Sequence, residues 1–360
     1  MKLEDRIELA KRELGRSVVR INPFLHKDAK DKAQDVLCFG VKNTNQIPVD
    51  VFNKLRFSRN YLWLTIDKMS DKGRSIDTDL VNPLTYRVMT GSTSGGPINI
   101  LKGINDFALG TDGGGSVLGP AMSCQLPSII GAGLNLLVKG ESVSTDNIKI
   151  RGSIGIIAKN LSIATKVLAE LTGYSLTPKA NYKPKQEIKV AVPKRGSVAT
   201  PDTQDMFYKL TPYLEALKKY NYRFKEVDFS EIDKREVAIA KINDVFSGNG
   251  ADLILTYEGP VDVFGYGETI AQKFGKTGMI LTKNNGKYLL KAANICKTTA
   301  ITIPTDDMAS GLLIVAEYGA ENALKAIELA QRLESLIRLP ELWVRYFLTD
   351  ERYCKDFEIE

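Results

Sequence analysis

Two serines, each set among glycines and 24 residues apart, constrain this chain more than any other feature. Ser92 lies in Gly91-Ser92-Thr93-Ser94-Gly95-Gly96, and Ser116 closes the run Gly113-Gly114-Gly115-Ser116. Between them, Pro97 to Lys102 predicts one short helix, with Pro97 at its first position and Gly103 at its end. Phe107-Ala108-Leu109-Gly110 then predicts a short buried strand. That strand leads through Thr111-Asp112 into three residues without side chains, placed directly before a hydroxyl. Glycines permit unusual backbone angles and close approach, so consecutive N–H groups can converge on one point. An oxyanion hole beside a nucleophile is built this way.

A single histidine narrows the chemistry. His26 stands in a polar stretch, Asn22 to Asp28, that predicts a loop and has no nucleophile motif nearby. A Ser-His-Asp or Cys-His mechanism would have to use it. An exposed surface histidine is the better reading, which makes lysine the leading candidate for a base. Lysine can serve when burial and its neighbours depress its pKa toward neutrality.

The four cysteines (Cys38, Cys124, Cys296, Cys354) are widely spaced and form no CxxC pair. That pattern argues against a disulfide framework or a metal site, and for a reducing, cytoplasmic compartment. The net charge of +6 is modest for 360 residues. The densest basic run, Lys179 to Arg195, carries Lys179, Lys183, Lys185, Lys189, Lys194 and Arg195 without the aromatic interleaving of a nucleic-acid platform. It reads as a solvated surface, and nucleic-acid binding is not expected. Residues 1–14 form an amphipathic helix in place of a signal peptide, and no stretch approaches the roughly 18 apolar residues of a membrane span.

Across residues 90–124 the chain resembles the amidase signature family, serine hydrolases with a Ser–cis-Ser–Lys triad. Laid on the family motif without a gap, the two motif serines fall on Ser92 and Ser116. Ala108, Gly110, Asp112, Gly114, Pro120 and Ala121 also occupy motif positions, and Cys124 falls where many members have Cys. Two positions depart: Thr90 replaces a Gly, and Leu118 replaces an Arg. The resemblance places the catalytic lysine at the end of an apolar strand upstream. Asp35 to Lys42 is such a run, although Lys42 is followed by Asn43-Thr44 where the family has Asp-Asn.

The resemblance implies a mechanism. Ser116 would attack an amide carbonyl, with Ser92, whose preceding peptide bond is cis in the family, passing the proton to neutral Lys42. N–H groups of Gly113, Gly114, Gly115 and Ser116 would face the oxyanion, and Asp112 would brace the turn. No metal or organic cofactor is implied, and the partner is a small-molecule amide. Homodimerisation is common in the family.

The rest of the chain predicts an α/β fold, which the resemblance makes a single-domain α/β/α sandwich around a large mixed sheet, spanning 1–360. Family likeness covers about 35–335, with an N-terminal helix and loop over 1–34 and an aromatic tail over 338–360. Strands are predicted at 61–66, 134–139, 152–158, 187–192, 223–229, 252–257 and 310–315. Helices are predicted at 162–171, 202–220, 231–246 and 321–337, with a helix-to-strand passage over 292–304. Residues 67–79 read as a loop, and Asn82-Pro83 precedes the first serine cluster as such a pair does in many members.

The 50 residues between Lys42 and Ser92, and the interval from Ser153 to Asp252, are short for the family. The pocket walls are therefore expected to be remodelled. Leu118 removes a cation near the nucleophile, which disfavours a carboxylate-bearing substrate. Two other functions stay open from sequence: a noncatalytic relative or assembly subunit, and an acyltransferase using the same acyl-serine.

Overall fold

Among the described residues eleven short strands pair into one mixed sheet, and the pairing order explains where the serines go. In the computed structural model, which describes residues 1–143, 148–176, 187–248 and 250–349, the strands are β1 (Val18–Ile21), β2 (Leu37–Lys42), β3 (Tyr61–Asp67), β4 (Phe107–Asp112), β5 (Ser128–Gly131) and β6 (Ser153–Ala158). They continue with β7 (Ile188–Pro193), β8 (Tyr222–Val227), β9 (Leu253–Glu258), β10 (Thr299–Pro304) and β11 (Gly311–Ala316). Their order across the sheet is β1-β3-β2-β4-β6-β5-β10-β11-β9-β7-β8. β2 runs parallel to both β3 and β4, so Lys42 and Asp112 leave the sheet at the same edge. The middle of the sheet, from β4 to β9, is antiparallel throughout. β4, β6, β9, β10 and β11 are buried along their whole length, as expected for strands covered on both faces.

The pleat sorts the two faces. Side chains alternate along a strand, so Phe107 and Leu109 point away from Ala108 and Gly110. On the first face Phe39 stacks on Phe107 at 5.1 Å, and Phe52 of α1 (Val49–Phe57) meets Phe39 and Trp63. On the opposite face, α2 (Gly95–Leu101) and α3 (Leu118–Ser123) follow the two serine clusters. They come close because the strands beneath carry no bulk. A Cβ on Gly110 would lie 2.7 Å from the Thr93 side chain, and one on its cross-strand partner Gly155 would lie 2.8 Å from Val117. Contacts of that length do not occur, so both positions exclude a side chain while the serine loops stay where they are.

Most predicted elements form within a few residues of their expected limits. The first helix spans Leu3–Arg12, and later ones span Leu161–Thr172, Met206–Leu217, Arg235–Ser247 and Ala320–Glu334. Several expectations are corrected. Pro97 is the third residue of α2, which starts at Gly95. Ile76–Val81 is a strand paired with Val88–Thr90, where a loop was expected. Residues 134–139 are not a strand: Asn135 takes a left-handed conformation after a 3-10 turn, and only Leu137 bridges to Ser153. The 292–304 passage has no α-helix before β10, only the 3-10 turn Leu289–Lys291 and further turns.

His26 is exposed but sits in the short helix Leu25–Ala29. In the tail, Trp343 is buried with its ring 4.3 Å from that of Phe347. Lys179, Lys183, Lys185, Tyr353 and Cys354 lie outside the described residues, while Lys189, Lys194 and Arg195 are exposed. Among the described residues no helix is long and apolar enough to cross a membrane.

Candidate active site

Lys42 ends β2 and is 3% exposed, so it is no solvated strand-end lysine. Its Nζ lies 2.6 Å from Ser92 Oγ and donates to Thr111 Oγ1 at 2.9 Å. Burial lowers its pKa to about 7, and the Asp112 carboxylate pulls weakly the other way. Among ordinary side chains a lysine is neutral at physiological pH only in such a place.

Ser92 is itself buried, in the loop between Val88–Thr90 and α2, and the Gly91–Ser92 peptide bond is cis. The Ser92 carbonyl accepts from the Ser70 N–H at 3.2 Å, which ties this loop to the chain after β3. Thr93 N–H donates to the Ser116 carbonyl at 3.2 Å, so the two serine clusters are hydrogen-bonded to each other. Lys42, Ser92 and Ser116, distant in sequence, are thus gathered at one end of β2 and β4.

Asp112 ends β4 and is fully buried. Its Oδ1 accepts from Gly115 N–H at 2.8 Å, and its Oδ2 from Val117 at 2.7 Å and Leu118 at 3.3 Å. Burial raises its pKa, and these three N–H groups and Lys42 draw it back. The turn that presents Ser116 is therefore wound around one carboxylate. The Gly115 N–H, expected to face an oxyanion, donates to Asp112 here. Gly114, Gly115 and Ser116 line a cavity of about 320 Å3 together with Gly91.

Several residues at this cavity carry no motif. Thr111, which meets the Lys42 amine, has no sequence signal of its own although it adjoins Asp112. Arg235, Lys287 and Lys291 also line the wall, and nothing in their local sequence marks them. Lys287 pairs with Asp262 at 2.7 Å, which in turn accepts from Thr90 Oγ1 at 2.8 Å. Glu258, at the end of β9, accepts from the N–H groups of Tyr288, Leu289 and Leu290 at 2.9, 2.7 and 3.1 Å. Burial pushes its pKa up to about 7 against those donors. It fixes the turn that carries Lys291. Leu118, where the family has Arg, is wholly buried, so it faces packing and not the cavity.

No protein-family model matches the sequence, and no curated protein matches it significantly. Solved structures do resemble it. A 6-aminohexanoate cyclic dimer hydrolase complexed with substrate superposes with a TM-score of 0.67 at 14% identity, covering 95% of each chain. The allophanate hydrolase of Kluyveromyces lactis gives 0.62 at 16% identity over 94% of this chain and 71% of that one. An amidase family protein from Bacillus anthracis str. Ames gives 0.61 at 13% identity over 94% and 89%. At these identities the likeness is one of fold. These neighbours are amidase signature enzymes, and the chain has the amidase signature fold.

Proposed function

We propose that the protein is an amidase that hydrolyses a carboxamide or amide bond of a small molecule through an acyl-serine on Ser116. The observation that carries this reading is the buried Lys42 amine, its pKa lowered to about 7, lying 2.6 Å from the Oγ of Ser92, whose loop is hydrogen-bonded to the Ser116 turn. A neutral amine keeps N–H groups for Thr111 and offers its lone pair to the Ser92 hydroxyl. Ser92 can then accept the Ser116 proton as it gives its own to Nζ. Ser116 Oγ bonds to the substrate carbonyl carbon, and the N–H groups of Gly113, Gly114 and Ser116 face the developing oxyanion. As the C–N bond breaks, the relay returns its proton to the leaving nitrogen, releasing ammonia or an amine. Water then repeats the sequence on the acyl-serine and releases the acid. In this reading the chain works as one domain without a cofactor, in a reducing cytoplasm.

The test is the mass of the intact protein after treatment with a fluorophosphonate, followed by peptide mapping. One adduct is expected, on the peptide containing Ser116. A folded protein that takes up no adduct would remove the hydrolase reading and turn attention to a subunit role. A new amide formed when an amide substrate is turned over with added amine, in place of the free acid, would point to acyl transfer.

Asp112 gives a second check. Asp112→Asn removes the charge that raises the Lys42 pKa, so the acid limb of the labelling rate should move below pH 7. Three N–H groups also lose a charged acceptor, each such bond being worth about 1.5–3 kcal/mol. The plateau rate should fall by about tenfold or more as the Ser116 turn loosens. A profile unmoved on the pH axis would show that Lys42 does not set it.

A further inference from the structure

The loop that holds Ser92 is fastened by backbone bonds on one side and by a side chain on the other. Gly91 N–H donates to the Ser75 carbonyl at 2.8 Å, Ser70 N–H to the Ser92 carbonyl at 3.2 Å, and Thr93 N–H to the Ser116 carbonyl at 3.2 Å. Those three bonds lie within residues 70–116. Thr90, buried two residues before Ser92, reaches much farther along the chain: its hydroxyl donates to Asp262 Oδ2 at 2.8 Å. The amidase signature motif carries glycine at this position, and glycine has no hydroxyl to offer. The departure at residue 90 and the carboxylate at residue 262 therefore belong together.

Asp262 is itself held from several sides. It lies buried after β9 with a left-handed φ of 55°, and its own N–H donates to the Asn285 carbonyl at 2.9 Å. Oδ1 accepts from Gly267 N–H at 2.9 Å, and Oδ2 is shared between Thr90 and Lys287 Nζ, the latter at 2.7 Å. Hydrogen bonds to a carboxylate are the stronger kind, so the Thr90 hydroxyl has a firm and well-placed acceptor. The same cluster reaches the second serine. A Cβ built on Gly119, three residues after Ser116, would lie 3.4 Å from Thr90 Cγ2 and 3.8 Å from Lys287 Cε. The threonine methyl and the lysine stem therefore lie against α3, and Gly119 N–H donates to the Gly115 carbonyl at 2.9 Å.

We propose that Asp262 is a positioning residue of the serine relay: through the Thr90 hydroxyl it sets where Ser92 Oγ stands between Lys42 and the Ser116 turn. As a statement about catalysis it rests on Lys42, Ser92 and Ser116 forming the relay; the fastening of the loop does not. Ser92 Oγ lies 2.6 Å from Lys42 Nζ and has to pass a proton on at both ends. Such a group tolerates little displacement, since a misplacement of about 1 Å can cost about 100-fold in rate. Among the described residues Thr90 and Asp262 are not in the wall of the Ser116 cavity. Their effect on Ser92 is transmitted through the backbone of Gly91.

The test compares fluorophosphonate labelling of the full-length wild type, Thr90→Val and Thr90→Ser across reagent concentration, with thermal melts to verify folding. Valine keeps the shape of threonine without the hydroxyl, and serine keeps the hydroxyl without the methyl. The maximal labelling rate of Thr90→Val should fall by about tenfold, while the reagent concentration giving half that rate stays within about twofold. Thr90→Ser should label within about threefold of wild type. In an Asp262→Ala background Thr90→Val should cost less than about twofold more, because the bond it removes is already gone. A wild-type maximal rate in folded Thr90→Val, or an equal loss in Thr90→Ser, overturns the proposal. Amide hydrogen exchange of the peptide spanning 88–96 is scored separately, and should quicken by at least about fivefold in Thr90→Val but not in Thr90→Ser. With a wild type that takes no label, that response would remove the hydrolase reading and leave the Asp262–Thr90 fastening standing, whereas unchanged exchange would overturn both.

Discussion

Lys42→Met is expected to slow fluorophosphonate labelling by about 10²–10⁴-fold, the usual contribution of a positioned general base, and Ser116→Ala to abolish it. Methionine keeps the length and apolar character of the buried stem but has no lone pair basic enough to take the Ser92 proton. In wild type the logarithm of the rate should rise with unit slope below pH 7 and level off above it. The sign follows from the base: protonated Lys42 cannot accept, and its pKa is about 7.

Lys42→Met should gain folding stability as it loses activity. The unfolded chain binds a proton on Lys42 up to about pH 10.5 that the folded chain releases near 7. Wild-type stability therefore gains from this residue as pH rises from about 7 toward 10, and the residue costs most below 7. At pH 6 Lys42→Met should be the more stable protein by on the order of 2–4 kcal/mol, after allowing for the hydroxyls of Ser92 and Thr111 that lose a partner. Urea unfolding of both proteins at pH 6 and pH 9.5 measures the gap, which should narrow at the higher pH. A Lys42→Met protein with wild-type labelling would dismiss the relay altogether.

Gly40→Ala should be severely damaging for a single methyl, with a loss of more than about 4 kcal/mol or no soluble folded protein. A Cβ at Gly40 would fall 2.1 Å from Asp67 Oδ2 and 2.6 Å from Asn105 Nδ2. Asp67 is fully buried on the neighbouring strand and accepts from Thr65 Oγ1 at 2.6 Å and Asn99 Nδ2 at 2.7 Å. Burial lifts its pKa to about 7 against both donors. It has nowhere to swing without breaking those bonds, and overpacking of a filled interior is relieved only by moving backbone. The backbone that must move is β2, two residues before Lys42. Unfolding curves for Gly40→Ala, with Gly40→Ser as a companion, test this; a loss below about 1 kcal/mol would mean that β2 is looser than its contacts imply.

How much of this was readable beforehand depended on whether the signal was local. The serine clusters, the strand before Ser116 and the strand ending at Lys42 are contiguous patterns, and each forms where its pattern lies. Leu134 to Lys139 failed because an apolar run does not reveal whether its backbone pairs; Asn135 turns left-handed and ends the strand option. The hairpin of Ile76–Val81 with Val88–Thr90 was hidden because its charged residues mask a strand whose partner is short. The helix Val49–Phe57 was missed for a similar reason, its weakly apolar face being completed only by Phe39 and Trp63 from other strands. At the site, the spent N–H of Gly115 follows from the reach of Asp112 and is invisible in the order of residues. Arg235 and Lys291 are ordinary surface-like cations in sequence. The start of the helix Arg235–Ser247 and the turn Leu289–Lys291 bring them to Gly114.

That last arrangement divides labour along the chain. Everything proposed to break the bond lies between residues 37 and 123, whereas the wall of the cavity beside Ser116 comes largely from 231–291. On the proposed reading, drift at exposed positions of the second stretch would change the wall and leave the first intact, whereas Asp262, which holds Thr90, is not free to vary. For a laboratory evolving new amide specificities, the consequence is practical: a library restricted to exposed positions of 231–291 samples selectivity while the nucleophile and its relay stay constant, so that active-site labelling reports folding in every clone before any substrate is tried.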